Sequence, residues 1–160
     1  MKTEIKGKLA SSFLVFSYAV ERYWLEMFLL EFLLIAFFIE RLLVIVAILV
    51  GTITTLLIAK LIKGSVGEKR PQRAILRSRY LRRAFIDPRG FPSYHSAATM
   101  FFAVALYKSY LFLPLFLFAA SVAYSRHYIG SHHIRDIVAG AIIGAAVGYI
   151  FAHFLIVKYI

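Results

Sequence analysis

The segment HHIRD, residues 132–136, places a histidine and an aspartate four residues apart. On one helical turn, side chains at that spacing face each other, so Asp136 could hold one imidazole nitrogen of His132. The other nitrogen is then free to act as a nucleophile. A second histidine, His95, begins another apolar segment and could protonate a departing oxygen and later activate water. These three residues predict covalent catalysis that requires no metal ion.

Basic residues elsewhere in the chain predict that the group transferred is a phosphate. Lys63, Arg70 and Arg126 supply fixed donors for an oxyanion, and arginine is suited to bidentate contacts. Ser93 is expected to cap a helix. The free N–H groups and the positive dipole end at that helix start would add a phosphate site.

The same residues also have structural interpretations. Lys63 and Arg126 lie at the ends of apolar segments, where long basic side chains extend toward the membrane surface. His132 and Asp136 could form a structural pair.

The other histidines are interpreted as structural. His127 and His133 are expected at the membrane interface, and His153 in the last apolar segment as a packing or hydrogen-bonding residue. A metal site built from His127, His132, His133 and Asp136 lacks a recognisable ligand spacing, so neither a metal nor another cofactor is expected.

The composition indicates an integral membrane protein that forms one domain over residues 1–160. Of its 160 residues 61% are hydrophobic, more than a small soluble domain can bury. The formal net charge of +11 is interpreted as attraction to anionic lipid rather than to nucleic acid. The absence of cysteine excludes disulfides, thiolate metal sites and a cysteine nucleophile.

The apolar pattern predicts about six helices. The first, over residues 9–22, is expected either to cross the bilayer or to lie in its plane, and the N-terminus is expected to stay uncleaved. The remaining predicted spans cover residues 23–39, 40–62, 93–111, 114–124 and 133–157. Between the third and fourth spans, residues 63–91 carry nine lysines and arginines and predict a basic interfacial loop with a short helix.

This topology brings the polar residues to one membrane surface. The third span ends at Lys63 and the fourth begins at Ser93, so both termini share a face. The fourth span crosses away and the fifth returns to Arg126. The sixth starts from the same face at His132.

Three motifs in these segments resemble those of the type 2 phosphatidic acid phosphatase family, the membrane relatives of vanadium haloperoxidases. That family is marked by K-x6-RP, PSGH and SR-x5-H-x3-D, in that order. This chain has KGSVGEKRP from Lys63, PSYH from Pro92 and SRHYIGSHHIRD from Ser125. Ten of the eleven motif positions match, and the departure is Tyr94 in place of glycine.

The resemblance implies a role for each matching residue. His132 would be the nucleophile, oriented by Asp136, and His95 the general acid and then base. The phosphate would be held by Lys63, Arg70, Ser93, Arg126 and the backbone at Tyr94. The resemblance also implies a six-helix bundle in the inner (plasma) membrane with the site facing the periplasm or cell exterior. That orientation runs against the positive-inside rule, because the most basic loop is then the exterior one.

The function predicted is a metal-independent lipid phosphate phosphatase that forms a phosphohistidine. Nine basic residues suit a multiply charged head group, so lipid A 1-phosphate is placed first, ahead of phosphatidylglycerol phosphate and undecaprenyl pyrophosphate. The non-enzymatic alternative is a membrane protein that binds or transports an anionic lipid.

A stripe of small residues marks the last predicted span. Gly140, Gly144 and Gly148 recur every four residues, a spacing that lets helices approach closely in lipid. Packing within the bundle is favoured over a homodimer formed through these glycines.

Overall fold

The computed structural model describes residues 2–39, 41–71 and 89–156. Within them the chain forms six α-helices, and a π-helical turn over Ala152–Ile156 continues the last. The helices are α1 Lys2–Arg22, α2 Trp24–Phe38, α3 Leu42–Val66, α4 Tyr94–Ala105, α5 Phe112–Tyr128 and α6 Ile134–Phe151. The expected all-α bundle of about six helices is confirmed.

Helix α4 is the centre of the bundle. It packs most extensively against α6 and also against α5 and α3, while α1 packs on α5. Phe101 and Phe102 of α4 are fully buried in an apolar core with Ile48 of α3 and Val147 of α6. The helix whose first turn carries Ser93 and His95 is therefore held on three sides.

Three glycines of α6 allow its close approach to α4. A Cβ at Gly140 would lie 2.4 Å from the Ser93 carbonyl oxygen, and one at Gly144 would lie 2.0 Å from that of Ala97. At Gly148 the distance to the Phe101 carbonyl oxygen would be 2.9 Å. The three glycines therefore serve packing between helices of the same chain, which is the interpretation that the sequence favours.

The outer surface is apolar, as a membrane requires. Large side chains such as Leu33, Phe37 and Leu42 are more than 60% exposed. Among the described helices, Leu42–Val66 and Ile134–Phe154 are long and apolar enough to cross a bilayer. The chain is an all-α membrane protein.

Several helix boundaries differ from those predicted. Helix α1 begins at Lys2 rather than at residue 9, and α4 ends at Ala105 rather than at residue 111. At the end of α4 the helical hydrogen bonds give way to tighter turns, in which the N–H groups of Leu106 and Tyr107 donate to carbonyls three residues earlier, at 3.3 and 3.2 Å. Helix α5 starts two residues before Pro114, which its first turn tolerates because the N–H groups there need no helical partner.

The basic segment 63–91 is described at its two ends. Lys63 belongs to the last turn of α3, which Gly67 terminates with a left-handed φ of 62°. Lys69 and Arg89 then form an isolated antiparallel bridge. Residues 72–88, where a short helix was predicted, lie outside the described residues.

Candidate functional site

Lys63 joins the end of α3 to the start of α4. Its side chain is buried, and its Nζ donates a 3.2 Å hydrogen bond to the Arg89 carbonyl. The same Nζ lies 4.2 Å from the centre of the Tyr94 ring, a cation–π contact. The lysine is therefore held in the bundle and does not extend to the membrane surface.

The start of α4 is shaped by Ser93. Its hydroxyl accepts from the Ser96 N–H at 3.5 Å, so Ser93 caps the helix as predicted. Its own N–H donates to the Asp136 carbonyl at 2.9 Å. On the first turn His95 has a buried Nε2 with no hydrogen-bond partner among the described residues. An imidazole nitrogen in that state can give or take a proton.

Arg126, in the last turn of α5, is buried, and hydrogen bonds hold both its side chain and its backbone carbonyl. Its Nε donates to the Ser125 hydroxyl at 3.1 Å, and an Nη donates to the Ser17 carbonyl of α1 at 2.5 Å. Its backbone carbonyl accepts from the N–H groups of Ser131 and His132, at 2.9 and 3.3 Å. The connection to α6 therefore folds back over the end of α5 and carries His132 with it.

His132 and Asp136 face each other across the first turn of α6. Their Nδ1 and Oδ2 atoms are 3.5 Å apart, long for a hydrogen bond. Oδ2 also accepts from the His133 N–H at 2.9 Å, so Asp136 caps α6 as well. Because Nδ1 faces the carboxylate, Nε2 of His132 is the nitrogen left for chemistry.

Gly90 brings the basic segment to this pair. Its N–H donates to the Glu68 carbonyl at 2.6 Å. A Cβ on Gly90 would lie 3.0 Å from Asp136 Oδ2 and 3.4 Å from the Cα of Arg70. Arg70 is thus placed beside the His132–Asp136 pair, and any larger side chain at residue 90 would push them apart.

Burial among cations controls the protonation of His132. Loss of solvent is the main cause that lowers its pKa, to about 4, and the charges of Arg70 and Lys63 lower it further. The contact with Asp136 acts in the opposite direction and is outweighed. His132 is therefore neutral near pH 7, with a lone pair available on Nε2.

The two histidines line different spaces. The space beside His132, here called the His132 cleft, is also lined by Pro71, Tyr124, Tyr128, Gly130 and Arg135. His95 instead lines a narrow space under α2, here called the α2 cavity, which is also lined by Trp24, Met27, Phe28, Glu31 and Leu56. The two histidines therefore do not share one cavity.

All eight predicted site residues converge at this end of the bundle. They are Lys63, Arg70, Ser93, Tyr94, His95, Arg126, His132 and Asp136. His127 and His133 are exposed, and His153 is exposed with its ring stacked on Tyr149 at 6.0 Å. Within the described ranges no three His, Asp or Glu side chains are grouped to hold a metal.

The sequence did not point to Ser17, Arg89 or Gly90. The contacts of Ser17 with Arg126 and of Arg89 with Lys63 are made by backbone carbonyls, which every residue type has, so residue identity gives no signal for them. Gly90 is needed for a close approach between segments far apart in sequence. No local pattern distinguishes it from a glycine in an ordinary turn.

A family model described as the PAP2 superfamily matches residues 42–159, a stretch that contains every predicted site residue. The chain belongs to the PAP2 superfamily. It is also 41% identical over 66 residues to a lipid A 4′-phosphatase of Bacteroides thetaiotaomicron. That match covers 39% of this chain and 29% of the relative, so it spans less than a third of the relative's length. No solved structure matches.

The first two helices, α1 and α2, lie outside the residues that match the PAP2 family model. Ser17 of α1 and the α2 residues that border His95 precede residue 42. In this PAP2 protein the N-terminal helices therefore add contacts to the site that lie outside the family match.

Proposed function

We propose that this protein is a metal-independent lipid phosphate phosphatase that works through a phosphohistidine. The observation that carries the proposal is the His132–Asp136 pair, buried beside the charges of Arg70 and Lys63 and facing the first turn of α4. Burying so many ionisable groups is costly for a merely structural cluster. A bound phosphate dianion offsets that cost, because it neutralises the cations.

In the first step, Nε2 of neutral His132 attacks phosphorus and the bond from phosphorus to the ester oxygen breaks. His95, which takes up a proton once the bound phosphate dianion offsets the cations around it, gives that proton to the ester oxygen, so the lipid leaves as an alcohol. The attacking and leaving atoms of a phosphoryl transfer lie roughly in line. The two histidines, which line different spaces, suit that arrangement.

In the second step, neutral His95 takes a proton from water as the water oxygen attacks phosphorus. The phosphorus–nitrogen bond breaks, which releases inorganic phosphate and restores His132. Lys63, Arg70, Arg126, the Ser93 hydroxyl and the backbone N–H of Tyr94 would hold the phosphate oxygens in both steps.

A lipid A phosphate is the substrate we place first. The basic segment suits a head group with more than one charge, and the matched relative is named for lipid A. That name specifies the 4′-phosphate, whereas the sequence alone suggested the 1-phosphate. Phosphatidylglycerol phosphate and undecaprenyl pyrophosphate are the alternatives.

The deciding experiment measures phosphate release by detergent-purified protein in excess EDTA. The panel holds both lipid A monophosphates, phosphatidylglycerol phosphate and undecaprenyl pyrophosphate. Wild type should release phosphate and His132→Ala should not, while His95→Ala should lose a factor on the order of 10² to 10⁴ in rate. The change His153→Ala serves as the control, because this exposed histidine lines neither the His132 cleft nor the α2 cavity. If folded wild type releases phosphate from no lipid, the site is a binding site instead.

We further propose that the site faces the exterior side of the inner membrane. The chain has no cysteine, so a single Cys introduced at exposed His133 would report its side. A membrane-impermeant maleimide should label His133→Cys in intact spheroplasts. Labelling only after lysis would place the site on the cytoplasmic side.

A further inference from the structure

Glu31 is a buried carboxyl group that the proposed mechanism does not use. Its side chain is 7% exposed, and neither carboxyl oxygen has a hydrogen-bond partner among the described residues. Its neighbours along α2 are apolar, and at this buried position a leucine side chain would be more stable than a carboxyl group. Leaving a carboxyl without a partner in an apolar setting is costly. A ligand that bonds to Glu31 would remove that cost.

The α2 cavity connects Glu31 with His95. The Trp24 ring meets His95 edge-on at 6.0 Å between ring centres, and Phe28 contacts Phe102 at 5.0 Å. Helix α2 therefore runs along α4 in the same direction, away from the site. Glu31 follows Trp24 by seven residues, or about 10 Å along the helix.

The expected position of the leaving group follows from the proposed reaction, so the position of the lipid rests on the proposed function. His132 attacks from its own cleft, and the departing oxygen lies on the side of His95. His95 is one of the residues that line the α2 cavity, so a polar group close to that oxygen on the lipid would enter it. The free volume of about 20 Å³ admits about one water-sized group, so the cavity has room for a single polar group of the lipid and none for an acyl tail.

We propose that the α2 cavity admits one polar group from the lipid part of the substrate while the acyl tails stay in the bilayer, and that Glu31 selects a lipid with a hydroxyl or amide N–H between its phosphate and its acyl tails. The carboxyl oxygens of Glu31 accept a hydrogen bond from that group. Acyl lipids with amide links or hydroxylated chains have such donors. Simple diacyl esters and polyprenyl phosphates do not.

The test compares two lipid phosphates that differ in these donors. Ceramide 1-phosphate carries an amide N–H and a hydroxyl, while dipalmitoyl phosphatidic acid carries only esters. One lost hydrogen bond to a buried acceptor costs a factor on the order of 10 to 100. Wild type should therefore prefer ceramide 1-phosphate in kcat/KM by about that factor. Glu31→Leu should bring the ratio near one, and Glu31→Gln, which can still accept, should keep part of it.

Glu26 supplies the matched control, because it is an exposed glutamate on the same helix. Glu26→Leu should leave the ratio unchanged. Glu31→Leu should also raise the melting temperature, since it removes an unpartnered buried carboxyl. If the ratio in Glu31→Leu is unchanged, whatever happens to the melting temperature, Glu31 is structural and the proposal is overturned.

A binding experiment keeps this proposal separate from the phosphatase. Trp24 is the only tryptophan in the chain and lines the α2 cavity. Its fluorescence should report binding of both lipids to the inactive His132→Ala protein, with ceramide 1-phosphate bound 10 to 100 times more tightly (an order-of-magnitude range). Equal binding of the two lipids would sink the selection by Glu31 even if phosphate release is found. Selective binding without turnover would sink only the phosphatase.

Discussion

The backbone N–H of Ser93 donates a 2.9 Å hydrogen bond to the carbonyl of Asp136. One bond thus ties the residue that caps α4 to the residue that caps α6 and faces His132. The first turn of α4 carries His95 and the first turn of α6 carries Asp136, which faces His132, so the geometry of the site depends on how closely α4 and α6 pack.

Gly144→Ala should disturb that packing. The new Cβ would lie 2.0 Å from the Ala97 carbonyl oxygen, which is backbone and cannot move alone. The expected loss of stability is about 1 to 3 kcal/mol. Phosphate release should also fall, because the geometry of the site depends on this packing. Thermal unfolding in detergent, followed by circular dichroism, measures the loss of stability.

Gly64→Ala on α3 is the control, because nothing lies within 4 Å of a Cβ there. It should be neutral or stabilising by up to about 1 kcal/mol, since alanine favours helices over glycine. Equal destabilisation by both changes would contradict the close-packing argument.

Asp136→Asn should separate the two roles of this side chain. The amide oxygen can still accept from the His133 N–H, so α6 keeps its cap and the melting temperature should hold. The negative charge facing Nδ1 of His132 is lost, which should lower kcat by a factor on the order of 10² to 10⁴. A kcat near that of wild type would mean that Asp136 acts only as a cap.

Tyr94 stands where the family motif has glycine, and its ring contacts Lys63. Tyr94→Phe should keep the cation–π contact and the activity. Tyr94→Leu should loosen Lys63 and raise KM by a factor on the order of 10 with little change in kcat, because Lys63 is buried and a desolvated cation–π contact is worth more than an exposed one. Steady-state kinetics with one lipid phosphate measures both constants. A fall in kcat alone would instead assign Tyr94 to the chemical step.

The low pKa of His132 should appear in a pH titration. Burial holds this pKa near 4, so the folded protein binds the His132 proton less tightly than the unfolded chain, whose ordinary value is 6.5. The contribution of His132 to stability is therefore full above pH 6.5 and falls as the pH drops toward 4. The melting temperature of wild type should decline more steeply over this range than that of His132→Gln.

Histidine NMR on the labelled protein gives an independent measurement. The resonance missing from His132→Gln should titrate near pH 4. A midpoint near 6.5 would show that His132 is solvated and would remove the basis for a neutral nucleophile at pH 7.

The sequence alone determined the membrane class, the helical bundle and the order of the chemical groups. Apolar runs report burial in lipid directly, and the i, i+4 spacing of His132 and Asp136 reports a local contact, so neither needs a tertiary structure. The motifs from Lys63 to Asp136 likewise identified the family that the match over residues 42–159 shows.

Which distant groups meet is visible only in the tertiary structure. The contacts of Arg126 with Ser17, of Gly90 with Arg70 and Asp136, and of Trp24 with His95 join segments with unrelated local patterns. The exact ends of α4 and α5 were also missed, because hydropathy does not show where tight turns replace helical hydrogen bonds within an apolar stretch. Glu31 looked like one more charge in an apolar run, and its burial without a partner follows only from how α2 packs along α4.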